Sequence, residues 1–517
     1  MISDIDREFL ESSGFALAPT PRQRMFIQRL YLYHALGRPS DKLVLSYSAS
    51  DNKGDPLRPS YLVSRISELF PKLTAVRAGR TDDELPGMGE LALMLSEYAS
   101  GVMSEDKKRV FYTDYALMKQ KDKKTVKELT DAAFYRYIPK VLSKEAIQNV
   151  YGEMISGSVS RMESFAACAY AHFLSYGLRL KERESSELLS PDMGSIYHEV
   201  LERFGKELDD RKMQWADISV KDVDGILPEI LEDVAAEYDT QKLYQDARSA
   251  YIYKRMGRIL RRSIMTVAYQ LAKGAFKPVA YERGFERMIK TENGEKALLR
   301  GKIDRLDEYR SEDKRYIKVT DYKSSARSLK YDKVLSGEQL QLPLYLYEAV
   351  KNAGEDAVPA ALFYYILKEP LIEASSLKDG DPDAKIRKEL KPKGLISSDM
   401  NVINALDGDF SGWSDVMPVY LTKDGKLSGN TRCALSPEDM KALTEYSYFK
   451  LKDLTREMLK GRIDISPSDE ESCRYCDHKD ECMFDMGLSG CAYKGVKHKE
   501  EEALELIKEA VKDKDLS

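Results

Sequence analysis

Hydrophobic and polar positions alternate most regularly between residues 278 and 323, where the pattern predicts three adjacent β-strands. In the third strand Asp321 and Lys323 share a face with Ile317, because successive side chains of a strand point to opposite sides. Asp304 also has apolar neighbours, in the second strand. A charge on an apolar face is costly unless a cation neutralises it. The two carboxylates can meet if the strands pair, so the pattern predicts a metal site.

Helical periodicity and short apolar runs alternate through the rest of the chain and predict an α/β protein. The predicted elements are helices at 15–36, 91–155, 194–204, 204–274, 337–350, 437–459 and 498–514, and strands at 43–48, 361–367 and 462–467. Ser160 is predicted to begin a further helix, with Glu163 three residues later completing a capping box. The stretch 91–155 carries no candidate chemistry and is interpreted as a helical connector.

The composition is that of a charge-rich globular protein, since 43% of the 517 residues are hydrophobic and 32% are charged. This length allows roughly two to four domains with cores of their own. No apolar run reaches the length of a membrane span, and the N-terminus lacks an apolar signal core. We therefore expect a cytoplasmic protein without a membrane partner.

The net charge of −5 gives no general attraction to nucleic acid, so contact with DNA requires a local basic surface. One segment has six basic residues and no acidic residue: Lys254, Arg255, Arg258, Arg261, Arg262 and Lys273. This segment is interpreted either as a DNA-contacting surface or as a solvated helix face.

A helix end followed by a predicted strand occupies residues 33–48, with the sequence YHALGRPSDKLVLSYS. It resembles the last motif of UvrD-like helicases, in which Arg38 would point toward ATP phosphate, although Gly37 replaces the usual threonine. No Gly-Lys pair of the chain is followed by Ser or Thr, so a phosphate-binding Walker A loop is absent from the sequence. We expect residues 1–150 to be the C-terminal part of a helicase-like α/β region plus the helical connector, without ATPase activity of its own.

The candidate active-site residues combine a helical histidine, two strand carboxylates, a strand lysine and a Gln-x3-Tyr pair: His198, Asp304, Asp321, Lys323, Gln341 and Tyr345. Phosphodiester cleavage requires charge neutralisation at the phosphate and an activated water, which one or two Mg²⁺ ions provide. Asp304 and Asp321 are predicted to bind the metal, with His198 and the carbonyl of Tyr322 as further ligands. Lys323 is predicted to orient or deprotonate the water.

Gln341 and Tyr345 lie one helical turn apart and are predicted to position the DNA strand that is cut. Asp307 lies three residues beyond Asp304, on the opposite strand face, and is excluded from the site.

Four motifs in order resemble the RecB-type branch of the PD-(D/E)XK, or restriction-endonuclease-like, nucleases. They are Gly-x3-His, Gly-Lys-Ile-Asp-Arg-Leu-Asp, Asp-Tyr-Lys-Ser and Gln-x3-Tyr. The resemblance implies a mixed central sheet flanked by helices and Mg²⁺-dependent cleavage of DNA. It predicts a nuclease domain at 155–495, which includes the cysteine-rich region, followed by a charged helical tail at 496–517.

The cysteines crowd near the C-terminus, where Cys473, Cys476 and Cys482 can provide three sulfur ligands. The candidates for a fourth ligand are Cys168, Cys433, Cys491 and His478. Ligand chemistry alone leaves zinc and an iron–sulfur cluster open.

The split arrangement resembles the iron–sulfur site of AddB-type nucleases. That resemblance implies that Cys168 is the fourth ligand and that the group is a 4Fe–4S cluster, with zinc as the alternative. Cys433 and Cys491 would then be free thiols.

Taken together, these features resemble the C-terminal half of AddB-type helicase–nuclease subunits. The resemblance implies an exonuclease that processes linear DNA ends and single strands for recombinational repair, together with an AddA-type partner subunit. Relative to that family the chain lacks an N-terminal half, so we expect a fragment or a split subunit. The alternative is a catalytically inactive, single-stranded-DNA-binding scaffold stabilised by a structural cluster.

Overall fold

The computed structural model describes most of the chain, in thirteen segments. These are residues 4–15, 17–51, 55–74, 85–152, 154–181, 190–237, 247–290, 296–311, 313–372, 382–408, 410–428, 431–495 and 497–515. The chain divides into two compact units, residues 1–133 and residues 134–517.

The first unit contains six helices in its described residues. Its helices are α1 (Asp4–Ser12), α2 (Pro21–Gly37), α3 (Tyr61–Leu69), α4 (Met88–Ala99), α5 (Glu105–Lys121) and α6 (Lys123–Ala133). Leu91 and Leu95 of α4 pack with Phe111, Met118 and Val126 in its small buried core. The last three helices are therefore held by apolar packing.

The predicted strand at 43–48 is wrong, because this segment has no regular secondary structure and belongs to no sheet. Its apolar side chains are exposed, and Val44 is 73% accessible to solvent. In the described part of this unit, β-type backbone pairing is limited to one isolated bridge between Ser50 and Pro56. An apolar run forms a strand only where a neighbouring strand offers backbone partners.

The second unit is built on a seven-stranded mixed sheet in the order β1-β3-β4-β5-β6-β9, with β2 paired to β3. Its strands are β1 (Ile155–Ser158), β2 (Lys277–Lys290), β3 (Lys296–Arg310), β4 (Arg315–Lys323), β5 (Ala357–Ile366), β6 (Lys393–Ser397) and β9 (Ala434–Leu435). Two short strands, β7 (Gly412–Trp413) and β8 (Tyr420–Leu421), form a separate pair.

Strand β3 pairs with three other strands of this sheet. The long strand β2 pairs antiparallel along one edge of β3, while β1 and β4 pair with different parts of its other edge. Strand β1 pairs in parallel with residues 297–300, and β4 pairs antiparallel with residues 305–310. The three predicted strands between 278 and 323 are therefore confirmed.

Helices cover both faces of the sheet, as predicted. The α-helices that the structure describes in the second unit are α7 (Lys144–Tyr151), α8 (Val159–Ala167), α9 (Ala169–His172), α10 (Ser190–Asp210), α11 (Val220–Glu237), α12 (Ala247–Lys273), α13 (Tyr331–Ser336), α14 (Gln341–Ala353), α15 (Pro382–Glu389), α16 (Met400–Leu406), α17 (Pro437–Leu459), α18 (Glu470–Arg474), α19 (Lys479–Cys482) and α20 (Glu500–Asp515).

Two large apolar clusters separate these helices into layers. Helices α8, α14, α17 and α20 pack on the face that carries Ile317 and Val319. Helices α10, α11 and α12 pack together against Tyr322 and Tyr365 on the other face. The sheet is buried between the two layers, as in other mixed α/β folds.

The predicted strand at 462–467 is wrong, since Arg462 makes one isolated bridge with Val141. The C-terminal helix α20 is confirmed, and its Ala503, Ile507 and Val511 are buried in the core beside the sheet. Among the described residues, no helix has both the length and the apolar composition needed to cross a membrane.

The predicted capping box of Ser160 and Glu163 is also wrong. Helix α8 follows directly on β1, and its N-cap is Ser158, whose hydroxyl accepts a hydrogen bond from the Arg161 N–H at 3.3 Å. Glu163 is therefore two residues beyond the position of a capping-box partner. Its carboxylate contacts the first residues of α14 instead.

Candidate active site

Three acidic residues of neighbouring strands occupy one row across the sheet. The residues on either side of Glu282 in β2 pair with those on either side of Asp304 in β3, so these two acids face each other. The β3–β4 ladder ends at the pair Arg305–Thr320, and the next position in that register places Asp304 opposite Asp321. Register therefore brings three carboxylates together from three strands.

Helix α10 contributes His198 to this row. Its Nδ1 lies 3.2 Å from Oε1 of Glu282 and 3.3 Å from Oδ2 of Asp304. Its Nε2 lies 2.9 Å from the carbonyl oxygen of Tyr322. The backbone N–H of Tyr322 donates to Oδ2 of Asp304 at 2.6 Å, so both backbone polar groups of Tyr322 point into the site.

Asp321 is held by a lysine and a glutamine. The Nζ atom of Lys323 lies 2.7 Å from Oδ2 of Asp321 and donates to Oε1 of Gln341 at 3.3 Å. The amide nitrogen of Gln341 donates to Oδ1 of Asp321 at 3.0 Å and to the Tyr345 hydroxyl at 3.3 Å. The predicted residues thus form two hydrogen-bonded groups, one around Asp304 and one around Asp321, which meet at neighbouring positions of β4.

The electrostatics of this row favour positive charge. Burial, followed by the nearby charge of Asp304, raises the pKa of Asp321 to about 7. Burial alone would lower the pKa of His198, but its hydrogen bonds to Asp304 and Glu282 raise it to about 10. A group of carboxylates that binds protons this readily also favours a divalent cation.

The donor set fits such a cation. Within the described part of the chain, one group of three potential ligands has its donor atoms within 4.8 Å of one another, namely His198, Glu282 and Asp304. Asp321 and the Tyr322 carbonyl add oxygen donors beside them. Oxygen donors with water completing the shell are the usual environment of Mg²⁺ in proteins.

Glu282 is the site residue that the sequence analysis missed. Its φ of +45° lies in the left-handed region, which is uncommon for residues other than glycine and often marks functional positions. The register of the β2–β3 hairpin would have identified it. The ladder that pairs Lys290 with Lys296 places Glu282 opposite Asp304.

Tyr345, a residue of α14, forms one boundary of the site. Its ring packs edge-on against Phe285 with centroids 5.5 Å apart. A Cβ at Gly301 would lie 2.5 Å from the Phe285 ring and 3.0 Å from the Tyr345 ring. The glycine of the Gly-Lys-Ile-Asp motif therefore allows this aromatic pair to approach β3 closely.

A comparison with known families identifies this arrangement. Residues 156–483 match the PD-(D/E)XK nuclease superfamily. The chain belongs to this superfamily. The match lies within the predicted nuclease domain, and the predicted fold class is confirmed.

Three relatives are named as the B-type subunit of an ATP-dependent helicase/deoxyribonuclease. The chain is 34% identical over 531 residues to the protein of Lachnoclostridium phytofermentans, 32% over 542 residues to that of Desulforamulus reducens and 30% over 537 residues to that of Alkaliphilus oremlandii. These matches cover 98%, 99% and 98% of this chain but 45%, 47% and 46% of the relatives. The chain spans about half the length of the curated relatives it matches.

Asp307 makes its contacts apart from the row of candidate site residues. It is fully buried and forms ion pairs with Arg305 at 3.0 Å and Lys318 at 2.8 Å. Arg305 also donates to the Tyr322 hydroxyl at 3.1 Å. These contacts form a buried ionic network that connects β3 to β4 without contributing a ligand to the site.

Three of the six basic residues of the α12 segment pair with acidic residues of the second unit. Arg255 and Arg258 lie 3.3 Å and 3.1 Å from Glu369, and Arg261 pairs with Asp224. Part of the positive charge that could have attracted DNA is therefore neutralised within the protein.

The predicted cysteine ligands line a common cavity of about 250 Å³. They are Cys168, Cys473, Cys476 and Cys482. Of the other candidates, Cys433 and Cys491 are not among the lining residues of this cavity, and Cys433 donates to the Pro418 carbonyl at 3.2 Å. His478 lines the cavity, but its ring is bonded to Ser175 at 2.8 Å.

The sulfur atoms of this cavity do not form a compact single-ion site. In the residues that the structure describes, no three cysteine sulfurs lie within 4.8 Å of one another. A tetrahedral zinc site with bonds of about 2.3 Å would place them about 3.8 Å apart. Burial and neighbouring cysteines raise the pKa of the Cys473 and Cys482 thiols.

Proposed function

We propose that this chain is the Mg²⁺-dependent exonuclease part of a helicase–nuclease that processes DNA ends for recombinational repair. The observation that carries the proposal is the row of Glu282, Asp304 and Asp321 beside Lys323 on the central sheet. The superfamily match supports phosphodiester hydrolysis. The names of the relatives support DNA as the substrate and a helicase–nuclease as the assembly, with an AddA-type subunit as partner.

Asp304, Asp321 and the Tyr322 carbonyl are the oxygen donors that would hold Mg²⁺, together with His198 and Glu282. Bound Mg²⁺ would supply charge neutralisation at the scissile phosphate and a more acidic attacking water. Hydrogen bonds fix these side chains before substrate arrives, because Asp304 is held by the Tyr322 N–H and His198 by the Tyr322 carbonyl. Such preorganisation removes reorganisation from the chemical step.

Lys323 would orient the attacking water and offset negative charge that develops on the phosphate. Its Nζ lies between Asp321 and Gln341, so its position is fixed from two sides. Gln341 and Tyr345 would position the strand that is cut. Burial raises the pKa of Tyr345, which keeps its hydroxyl protonated and able to donate to a phosphate oxygen.

The cysteine-lined cavity would hold a structural 4Fe–4S cluster, with zinc as the alternative metal. The four cysteines come from both ends of the nuclease domain and share one cavity, which fits a group held by four thiolates. The cluster would connect the chain before α9 to the segment around α18 and α19.

The test of the nuclease proposal is degradation of linear DNA by the purified chain, with Mg²⁺ and with EDTA. We expect Mg²⁺-dependent release of short products, and loss of this release in Asp321→Asn. DNA binding without Mg²⁺-dependent cleavage would instead indicate an inactive single-stranded-DNA-binding scaffold. Equal cleavage by wild type and Asp321→Asn would reject the site.

A further inference from the structure

Glu163 of α8 makes two hydrogen bonds that metal binding does not explain. Its Oε1 accepts from the backbone N–H of Leu340 at 2.7 Å and from that of Gln341 at 2.8 Å. Its second oxygen faces Arg327, whose guanidinium lies 3.9 Å away and rests over the Tyr364 ring. The side chain is 11% exposed, so these contacts form in a protected environment.

The first backbone N–H groups of helix α14 need a hydrogen-bond acceptor from outside the helix. The first N–H groups of a helix have no acceptor within the helix, and Leu340, the N-cap residue, makes no side-chain capping bond. Glu163 supplies the missing acceptor from a distant part of the chain. A carboxylate is well suited to this place, because the start of a helix carries partial positive charge.

The first residue of α14 is also a residue of the active site. Gln341 uses its backbone N–H for Glu163 and its side chain for Asp321, Lys323 and Tyr345. The placement of this first turn therefore decides whether the amide reaches Asp321 and Lys323 together. A small displacement of a positioning group costs large factors in rate.

We propose that Glu163 is a positioning residue that fixes the first turn of α14, and thereby holds Gln341 against Asp321 and Lys323. This inference rests on the proposed nuclease function and adds a residue to its machinery. Glu163 acts through the backbone of α14 and has no predicted contact with DNA. Its substitution should therefore act through the contacts of Gln341 with Asp321 and Lys323, and change kcat more than KM for DNA.

Three substitutions at Glu163 distinguish the effect of its two hydrogen bonds from the effect of its negative charge. Glu163→Gln removes the charge and keeps an oxygen that can accept both bonds. Glu163→Asp keeps the charge but withdraws it by one methylene, and Glu163→Ala removes both. Glu232→Gln, at an exposed position of α11, is the matched control.

We expect kcat to fall about tenfold to hundredfold in Glu163→Ala and Glu163→Asp, and less than about threefold in Glu163→Gln, with KM within about twofold throughout. Hydrogen exchange of the peptide containing Leu340 and Gln341, measured by mass spectrometry, should be about fivefold faster in the first two variants. This exchange is independent of activity, so a chain without nuclease activity still tests Glu163.

Unchanged exchange and unchanged kcat in Glu163→Asp would overturn the proposal. So would a loss of kcat in Glu163→Gln as large as in Glu163→Asp, because charge would then matter more than the hydrogen bonds. If Glu163→Ala fails to fold, the Gln and Asp variants decide the question alone.

Discussion

Asp304 and Asp321 occupy the register position that follows the last paired residues of β3 and β4. The last pair is Arg305–Thr320, and beyond it Asp304 accepts a hydrogen bond from the Tyr322 N–H at 2.6 Å. The pairing between β3 and β4 thus ends one position before the two candidate metal-binding carboxylates. The separation of the two carboxylates is fixed by the strands, which are more rigid than loops.

Replacing Asp321 should abolish cleavage without weakening the fold. We expect Asp321→Asn to lower single-turnover cleavage of linear DNA at least about 100-fold, because a carboxylate of the metal-binding row is lost. In EDTA its Tm should equal or exceed that of the wild type, since burial and Asp304 disfavour an ionised carboxylate here. Asp313→Asn, at an exposed turn position, is the control and should change neither quantity.

Glu282 should contribute to metal affinity. We expect Glu282→Gln to raise the Mg²⁺ concentration for half-maximal cleavage about 10- to 100-fold, with activity partly restored at high Mg²⁺. A Mg²⁺ titration of the cleavage rate measures this effect. The matched control is Glu286→Gln on the same strand, which is exposed and pairs with Arg300. Equal titration curves for the two variants would remove Glu282 from the ligand set.

Lys323 should act in the chemical step. Replacement by Gln retains a polar side chain but removes the charge that faces Asp321, so we expect kcat to fall about 10²- to 10⁴-fold. The Mg²⁺ titration midpoint should change far less than in Glu282→Gln. Lys314→Gln, at an exposed position before β4, serves as the control. A Lys323→Gln variant with near-normal kcat would contradict the assigned role.

Replacing Asp307 should lower the stability of the fold, whereas replacing Asp304 should abolish activity. Asp307→Asn leaves Arg305 and Lys318 buried without their shared carboxylate, and we expect a loss of about 3–5 kcal/mol in the free energy of unfolding. Urea denaturation followed by circular dichroism measures it. The same change three residues earlier, Asp304→Asn, should abolish cleavage with little loss of stability. The reverse result would mean that the two roles are wrongly assigned.

The cysteine cavity should bind iron and sulfide in an anaerobic preparation. We expect absorption near roughly 400 nm, and about four iron atoms per chain, both lost in Cys476→Ser. Cys433→Ser is the matched control, because Cys433 packs in a different apolar cluster. Bound zinc without this absorption would favour the single-ion alternative.

Local patterns were sufficient for the central strands and for most of the candidate site. Asp304, Asp321 and Lys323 could be predicted because their surroundings alternate with a period of two, and Gln341 and Tyr345 because one helical turn separates them. Those signals depend only on residues close in sequence.

The features that sequence missed depend on distant partners. Glu282 joins the site through hairpin register, and Glu163 caps a helix far along the chain. The strands predicted at 43–48 and 462–467 failed for the same reason, since apolar composition does not show whether a partner strand exists. A sequence pattern predicts on which face of a strand or helix a residue lies. The register of strand pairing determines which of these residues contact one another.

The parallel pairing of β1 with β3 has a consequence for folding kinetics. Ile155 pairs with Ala297, about 140 residues later, and helices α10, α11 and α12 lie between them. Closing so long a loop is entropically costly, whereas the β2–β3 hairpin joins neighbouring segments. We expect the hairpin to form early and β1 to dock late and slowly. The helix that carries Glu163 follows β1 directly, so the nuclease site would be completed in the last folding step.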